Sequence, residues 1–347
     1  MSVIHVENWP QPIEAGRLRI LEAALDAGVP YPHGCGSGEC GGCKSELIAG
    51  EVTLDPYSRD ALSDAERARG IILACRARLK SDVTVRWLSA VAPLPMVKLN
   101  ARVQEIEAVA HDVVVLKLLL PQGTAFQFRP GQYAKLRMGK LPTRSFSMAN
   151  QPGDGQLEFH IRVLPDGMVS GFIAEQLQVG QSVEVRGPFG DAHWEDQPAQ
   201  AAEPLLLLAG GTGLAPMVSV LDAALRSGVP GRSIHLYHGV RGVRDLYARA
   251  HLTARAQRQG FRFVPVYSDE GVAAERSGML HEALAEDFSN LVATRIFVAG
   301  PPPMVDAVKA QAMRLGAHPS RIRADGFYAA VPEKKSLWER VTAWGDL

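Results

Sequence analysis

Residues 34–43 read GCGSGECGGC, and no other stretch restricts the fold of the chain as much. Five glycines surround three cysteines there, and the last of the four cysteines, Cys75, stands far downstream in ILACRAR. Buried structural thiols would leave the glycines without a reason. A residue lacking Cβ can take positive φ and bring its backbone N–H close to a bound anionic group. The loop has the composition of a cradle, and its cysteines that of ligands.

The spacing C-x4-C-x2-C followed by a distant cysteine is the plant-type [2Fe-2S] pattern, with Cys35, Cys40, Cys43 and Cys75 as the four thiolates. A structural zinc site is the rival reading, although such sites usually pair short C-x2-C units instead of crowding three ligands into one loop. The segment resembles a plant-type ferredoxin domain. That resemblance implies a β-grasp fold for residues 1–92, with a helix near Leu18 to Ala27.

A chain of 347 residues suits two or three domains better than one core. Lys and Arg total 37, as do Asp and Glu, so no global positive field favours nucleic acid as a partner. The opening MSVIHVENWPQPIEAG has no basic segment followed by an apolar run, and LLLLA at 205–209 is too short to span a bilayer. The expectation is a cytoplasmic protein with neither membrane nor nucleic acid as partner. In a reducing compartment its cysteines point to metal or catalysis before disulfides.

Composition divides the rest. VAPLPMVK at 91–98 carries two prolines and reads as a linker, placed at 93–98. Residues 99–199 hold short β-rich runs (DVVVLKLLL, QYAKLRM, QLEFHIRVL, QSVEVRG) between Pro-Gly and Gly-Asp signals, which predicts an antiparallel β-barrel or sandwich. Residues 200–331 alternate apolar strands with helical stretches, which predicts a doubly wound parallel sheet. The fold class expected is therefore multidomain, α+β joined to α/β. A tail at 332–347 places Trp338, Val341 and Trp344 at roughly helical spacing; it either packs on its own chain or docks a partner.

Within 99–199, FRPGQY, RSFS at 144–147, HIRV, GMVS and GPFG at 187–190 occur in that order. Taken alone, Arg and Ser in a β-loop are more often solvated than ligand-bound. The ordered set resembles the FAD-binding barrel of the ferredoxin:NADP reductase superfamily. It implies that Arg144, with Ser145 beside it, meets the flavin pyrophosphate through a planar fork suited to phosphate oxygens. Phe146, where the family commonly has Tyr, would lie against the isoalloxazine, and Ser147 near its N5 atom. His160, Ile161 and Arg162 would line the cofactor, and Met168, Val169 and Ser170 would face its phosphates.

LLLLAGGTGLAPMVSVL joins an apolar strand to a helix through Gly211, Thr212 and Gly213, with Pro216 where a helix tolerates a missing N–H. Such a turn can cradle a pyrophosphate, although tight packing alone would also use it. AGPPPMVDAV at 299–308 resembles the second nicotinamide motif of the superfamily, which implies roles for Gly300, Pro301, Pro302 and Met304. Ala299 stands where the family often has Cys. DGFYA at 325–329 resembles the closing motif, with Phe327 covering the flavin and Asp325 the nearby carboxylate. YHGVRGVRDLY offers Arg241, Arg244 and Asp245 to the adenosine half; the resemblance favours NADH, and the local chemistry leaves NADPH open.

Across nearly its whole length the chain resembles the reductase components of bacterial multicomponent, aromatic-ring-hydroxylating oxygenases. That implies electrons passing from NADH to FAD to the [2Fe-2S] cluster and on to a terminal oxygenase or an intermediate ferredoxin. Ser147, Asp325 and Phe327 would act at the reacting edge, with no protein nucleophile or base required. Reductases of the same module order also serve diiron hydroxylases and nucleotide-sugar deoxygenation. The rival from another class is a redox-sensing binding module without turnover, against which the complete nicotinamide motif argues.

Overall fold

The computed structural model describes residues 2–33, 36, 38, 41–59, 61–88, 94–124, 126–195, 202–269 and 276–327. The ligands expected at Cys35 and Cys40 and the tail expected at 332–347 lie outside them.

The first module contains β1 (Val3–Val6), β2 (Ile13–Glu14), α1 (Ile20–Asp26), β3 (Lys44–Ala49), β4 (Val52–Leu54), α2 (Asp64–Ala68), β5 (Ile71–Leu73), β6 (Ala77–Leu79) and β7 (Val83–Trp87). Its sheet runs β2-β1-β7-β3-β5, and β1 lies parallel to β7, the β-grasp arrangement. Helix α1 starts where the Glu22 carboxylate accepts the Arg19 N–H at 2.9 Å, satisfying one of the donors that a helix start leaves open. It buries Ile20, Leu21, Ala23 and Ala24 on one face against the sheet.

The second module holds β8 (Val97–Ala110), β9 (Val113–Leu119), β10 (Tyr133–Arg137), β11 (Arg144–Ser147), β12 (Gln156–Arg162), α3 (Met168–Glu175) and β13 (Ser182–Phe189). β8 opens at Val97, inside the segment that its prolines mark as a linker. The strands run antiparallel in the order β11-β10-β13-β8-β9-β12. Leu157, Phe159 and Ile161 alternate into the core while Glu158, His160 and Arg162 face outward, the period-two pattern of a half-buried strand. The antiparallel β-structure expected for this module is present as one curled sheet. β11 has only four residues, too few for a ladder along β12, so the curled sheet closes at one corner. That corner is the bridge of Met148 with Phe159 and the Ala149 N–H donated to Glu158 O at 2.8 Å.

The third module holds β14 (Leu205–Gly210), α4 (Leu214–Arg226), β15 (Ile234–Val240), α5 (Arg249–Gln259), β16 (Arg262–Tyr267), α6 (Leu280–Asp287), β17 (Arg295–Gly300), α7 (Pro302–Arg314) and β18 (Ile322–Gly326). Its parallel sheet runs β16-β15-β14-β17-β18. All six residues of β14 are buried, which explains the unbroken apolar run. Leu205, Leu207 and Ala209 pack with α4 and α5 on one face, while Leu206 and Leu208 pack with α6 and α7 on the other. The chain moves outward from β14 to β16 and then returns to β17, so a switch point lies between β14 and β17 at their carboxyl ends. Among the described residues no helix is long and apolar enough to cross a membrane.

Candidate functional site

Cys43 and Cys75 come together in the first module, both buried, with the Cys75 N–H donated to Cys43 Sγ at 3.4 Å. Gly38 and Gly41 in the same loop have φ of +84° and +76°, in the left-handed region that favours glycine. A Cβ on Gly38 would lie 2.9 Å from the Arg76 side chain, so the loop is folded tightly over the Cys75 segment. Two buried sulfurs, an N–H aimed at one of them and a left-handed glycine loop fit an iron-sulfur cluster better than two inert core thiols.

This loop meets the second module directly. A Cβ on Gly42 would stand 2.3 Å from Asp191 Oδ2, and Arg186 Nη2 donates to Leu25 O at the end of α1 at 2.9 Å. The rings of His33 and Phe189 lie edge to face with centroids 5.4 Å apart across the same junction. The residue preceding Cys43 thus touches the loop that follows β13.

In the second module β11 carries RSFS along the short edge of the sheet, pairing Ser147 with Tyr133 and Phe146 with Ala134. Ser147 is buried, and its hydroxyl donates to Asp325 Oδ2 at 3.2 Å. Asp325 lies in β18 opposite Ala299, and the Phe327 N–H is donated to Gly300 O at 2.9 Å. RSFS, AGPPP and DGF, far apart in the chain, therefore converge on one edge between the second and third modules. Phe146 packs against the core of the second module and Phe327 against that of the third.

Other residues singled out from the sequence stand elsewhere. Arg144 is turned onto the carbonyl of its neighbour Thr143 at 2.9 Å, on the surface. Ser145 and Met168 are exposed, whereas the Ile161 and Val169 side chains lie in the core. Ser170, buried in the first turn of α3, donates to Gly167 O and accepts the Leu164 N–H at 3.1 Å. No side chain caps α3, so the N–H groups of its first turn point out of the helix start, which suits an anion.

The second and third modules together line a cleft of about 190 Å³ at the switch point, to which the third contributes Gly211, Thr212, Arg241, Asp245, Pro301 and Met304 among others. Gly300 has φ of +145°, and a Cβ there would meet Gly210 O at 2.9 Å. A Cβ on Gly210 would meet Met304 Sδ within 2.4 Å, so the two turns press together and only glycine allows it. Gly211–Gly213 form a 3-10 turn leading into α4, where Pro216 is buried near the start, and Pro302 opens α7. These features fit a dinucleotide whose pyrophosphate rests on a helix start.

Three residues that sequence reasoning did not single out complete the region. Tyr247, buried, is bonded through its hydroxyl to His160 Nδ1 at 3.0 Å, and His160 Nε2 lies 3.2 Å from Glu158 Oε1. A neutral imidazole with its proton on Nε2 satisfies both contacts. The His160 hydrogen bond holds the Glu158 carboxyl below the usual carboxylate range, and burial pushes the Tyr247 phenol well up. His238 is fully buried beneath Tyr247, with ring centroids 5.6 Å apart, and donates from Nε2 to Gly211 O at 2.9 Å. Burial depresses its pKa to about 4. The third is Asp112, in the hairpin between β8 and β9, which accepts from Arg162 Nε at 2.9 Å and lies at the cleft. A His-Asp pair in a hairpin turn gives no sequence signal of a binding role.

Comparison with known proteins matches three family models along the chain. The 2Fe-2S iron-sulfur cluster binding domain matches residues 5–80, the oxidoreductase FAD-binding domain residues 100–194, and the oxidoreductase NAD-binding domain residues 207–310. The aromatic O-demethylase reductase subunit of Amycolatopsis sp. is 38% identical over 317 residues, covering 90% of this chain and 94% of that protein. The ferredoxin–NAD(P)+ reductase component of the naphthalene 1,2-dioxygenase system of Pseudomonas putida is 32% identical over 330 residues, covering 94% and 98%. The crystal structure of the Amycolatopsis cytochrome P450 reductase GcoB superposes with a TM-score of 0.79 at 36% identity, over 95% of this chain and all of that one.

Proposed function

Because the chain belongs to the family of iron-sulfur flavoprotein reductases that form the reductase components of multicomponent oxygenases, we propose that it carries electrons from NADH to an oxygenase or its ferredoxin in the cytoplasm. The final acceptor under this reading belongs to aromatic-ring oxygenation. Bound to these modules, NADH would supply a hydride, FAD the means of dividing its two electrons, and the [2Fe-2S] cluster their delivery one at a time.

The work of the chain is positioning. Cys43 and Cys75, with Cys35 and Cys40, would hold the cluster, and the contact of Gly42 with Asp191 would set its module against the flavin module. Arg144, Ser145, Phe146, Ser147 and the start of α3 at Met168, Val169 and Ser170 would hold FAD, with His160, Ile161 and Arg162 along it. Gly211, Thr212, Gly213, Pro216 and the turn from Gly300 to Met304 would hold the dinucleotide. Ser147, Asp325 and Phe327 would line the edge where the two cofactors meet. The observation that carries this reading is the Ser147 to Asp325 hydrogen bond, which joins the flavin motif to the nicotinamide motif at one point.

The test is steady-state oxidation of NADH with cytochrome c as one-electron acceptor. Sustained turnover that disappears in Cys75→Ser, while NADH still bleaches the flavin in that variant, supports the relay. Turnover equal in the two proteins would remove the cluster from the path.

A further inference from the structure

Arg241 directly follows β15, the strand next outward from the glycine turn. In a doubly wound sheet the group at this position faces the ribose of the adenosine half of a bound dinucleotide. A free guanidinium there would welcome a 2′-phosphate, and a carboxylate would welcome the 2′-hydroxyl. Arg241 is not free. Its Nη2 lies 2.8 Å from Asp245 Oδ1 and 3.6 Å from Asp112 Oδ2, while Asp245 Oδ2 also accepts the Gly242 N–H at 2.9 Å.

Asp112 comes from the other module. It occupies the hairpin turn between β8 and β9, only 17% of its side chain is exposed, and Arg162 Nε donates to the same oxygen at 2.9 Å. The neighbouring His111 donates from Nδ1 to Arg244 O at 3.3 Å, which holds the turn against the loop after β15. Asp269 adds a third negative charge near Arg241, its N–H donated to Arg241 O at 3.0 Å. Asp112, Arg162, Arg241 and Asp245 all line the cleft. The half-exposed Arg241 is shared through Nη2 by Asp245 and Asp112, with Asp269 nearby, so a 2′-phosphate entering with about two negative charges would meet a guanidinium whose charge three carboxylates already offset.

We propose that Asp112, supplied by the flavin module, is a specificity-determining residue of the dinucleotide cleft: with Asp245 it occupies Arg241, denies that guanidinium to a 2′-phosphate, and so makes the cleft prefer NADH to NADPH. The inference rests on the dinucleotide reading of the cleft. It makes cofactor choice a property of two modules together, since the loop after β15 supplies Asp245 and the flavin module supplies Asp112.

The test is equilibrium binding of ADP-ribose and of 2′-phospho-ADP-ribose to the full-length holoprotein, with kcat/KM for NADH and NADPH measured alongside. Asp112→Asn should raise affinity for the 2′-phosphorylated probe about tenfold while that for ADP-ribose changes less than about threefold. Asn suits a hairpin turn as Asp does, and Asp112→Gly, also suited to the turn, carries the same prediction should the first variant not fold. Adding Arg241→Ala to either variant should abolish the gain. An unchanged affinity for the phosphorylated probe, equal gains for both probes, or a gain that survives loss of Arg241 would overturn the proposal. Failure of every protein, the wild type included, to bind ADP-ribose would instead remove the dinucleotide reading, and the inference with it.

Discussion

Ser147 and Asp325, 178 positions apart in the sequence, are joined by a hydrogen bond of 3.2 Å between the edge strand of the flavin module and the edge strand of the dinucleotide module. The bond fixes the relative position of two surfaces that must present their cofactors to each other, and positional errors of about 1 Å can cost such a site a hundredfold in rate.

Removing either partner should therefore cost more in rate than in stability. Ser147→Ala and Asp325→Ala are each expected to lower the rate of flavin reduction by NADH, with about 1 kcal/mol lost from unfolding free energy. Because they share one bond, the double variant should be less impaired than the sum of the singles, by about 0.5–1 kcal/mol. Stopped-flow reduction and urea unfolding of the four proteins check this; strict additivity would show that the bond does not couple them.

The press of Gly300 on Gly210 makes Gly300→Ala severe. Its φ of +145° and the 2.9 Å approach of a Cβ to Gly210 O require the two nicotinamide turns to separate. A cost of about 2 kcal/mol or more is expected, with NADH no longer reducing the flavin. Iron content should remain that of the wild type, since the cysteine loop is untouched. Normal reduction of the flavin by NADH in this variant would contradict the geometry.

The cluster loop and the flavin module meet at Gly42 and Asp191, where a Cβ would stand 2.3 Å from Oδ2. Gly42→Ala should slow cytochrome c reduction about tenfold and leave reduction of the flavin by NADH within about twofold. Asp191→Ala added to it should restore the rate by removing the obstructing carboxylate. Equal slowing of both steps would show that the effect is not confined to the junction.

Stability should fall in mild acid. His238 has its pKa depressed from 6.5 to about 4 by burial, so the unfolded chain takes up a proton near pH 6.5 that the folded chain refuses until about pH 4. Its contribution is fully present above pH 6.5 and is lost as pH falls toward 4, about 3 kcal/mol across that window. His193, also lowered to about 4 with burial the leading cause, adds to the same slope. Urea unfolding at pH 7 and pH 5 should show His238→Gln with a shallower dependence than the wild type; identical slopes would exclude the buried neutral imidazole.

Local chemistry in the sequence carried much of the architecture. The run LLLLAGG is apolar because β14 is covered on both faces, and HIRV alternates because β12 is covered on one. β8, the longest strand among the described residues, alternates apolar Val97, Leu99, Ala101 and Val103 with polar Lys98, Asn100, Arg102 and Gln104 until Glu105 breaks the pattern, but the prolines at 93 and 95 make its start read as a linker. Whether the curled sheet closes is not written in the sequence, for a different reason. Strand content can be read locally, but whether two edges meet depends on how far β11 extends, and it ends after four residues.

The site divides in the same way. Glycine turns and cysteine spacing announce themselves because the backbone they require admits few residues. Asp112 and Tyr247 do not, since each acts through a partner that only the packing of one module on another supplies, and His238 does not because its partner Gly211 O lies 27 residues away on a neighbouring turn of the same module. Arg144 shows the converse: a motif residue whose guanidinium rests on its neighbour's carbonyl, in a place that sequence alone would assign to a phosphate.

The central claim, that one chain passes electrons from nicotinamide through flavin to an iron-sulfur cluster, is tested most directly by anaerobic titration of the purified protein with NADH. Visible absorbance and electron paramagnetic resonance would be followed together. The account predicts bleaching of the flavin bands accompanied by the signal of a reduced [2Fe-2S] centre. Bleaching without that signal in protein of full iron content would contradict it.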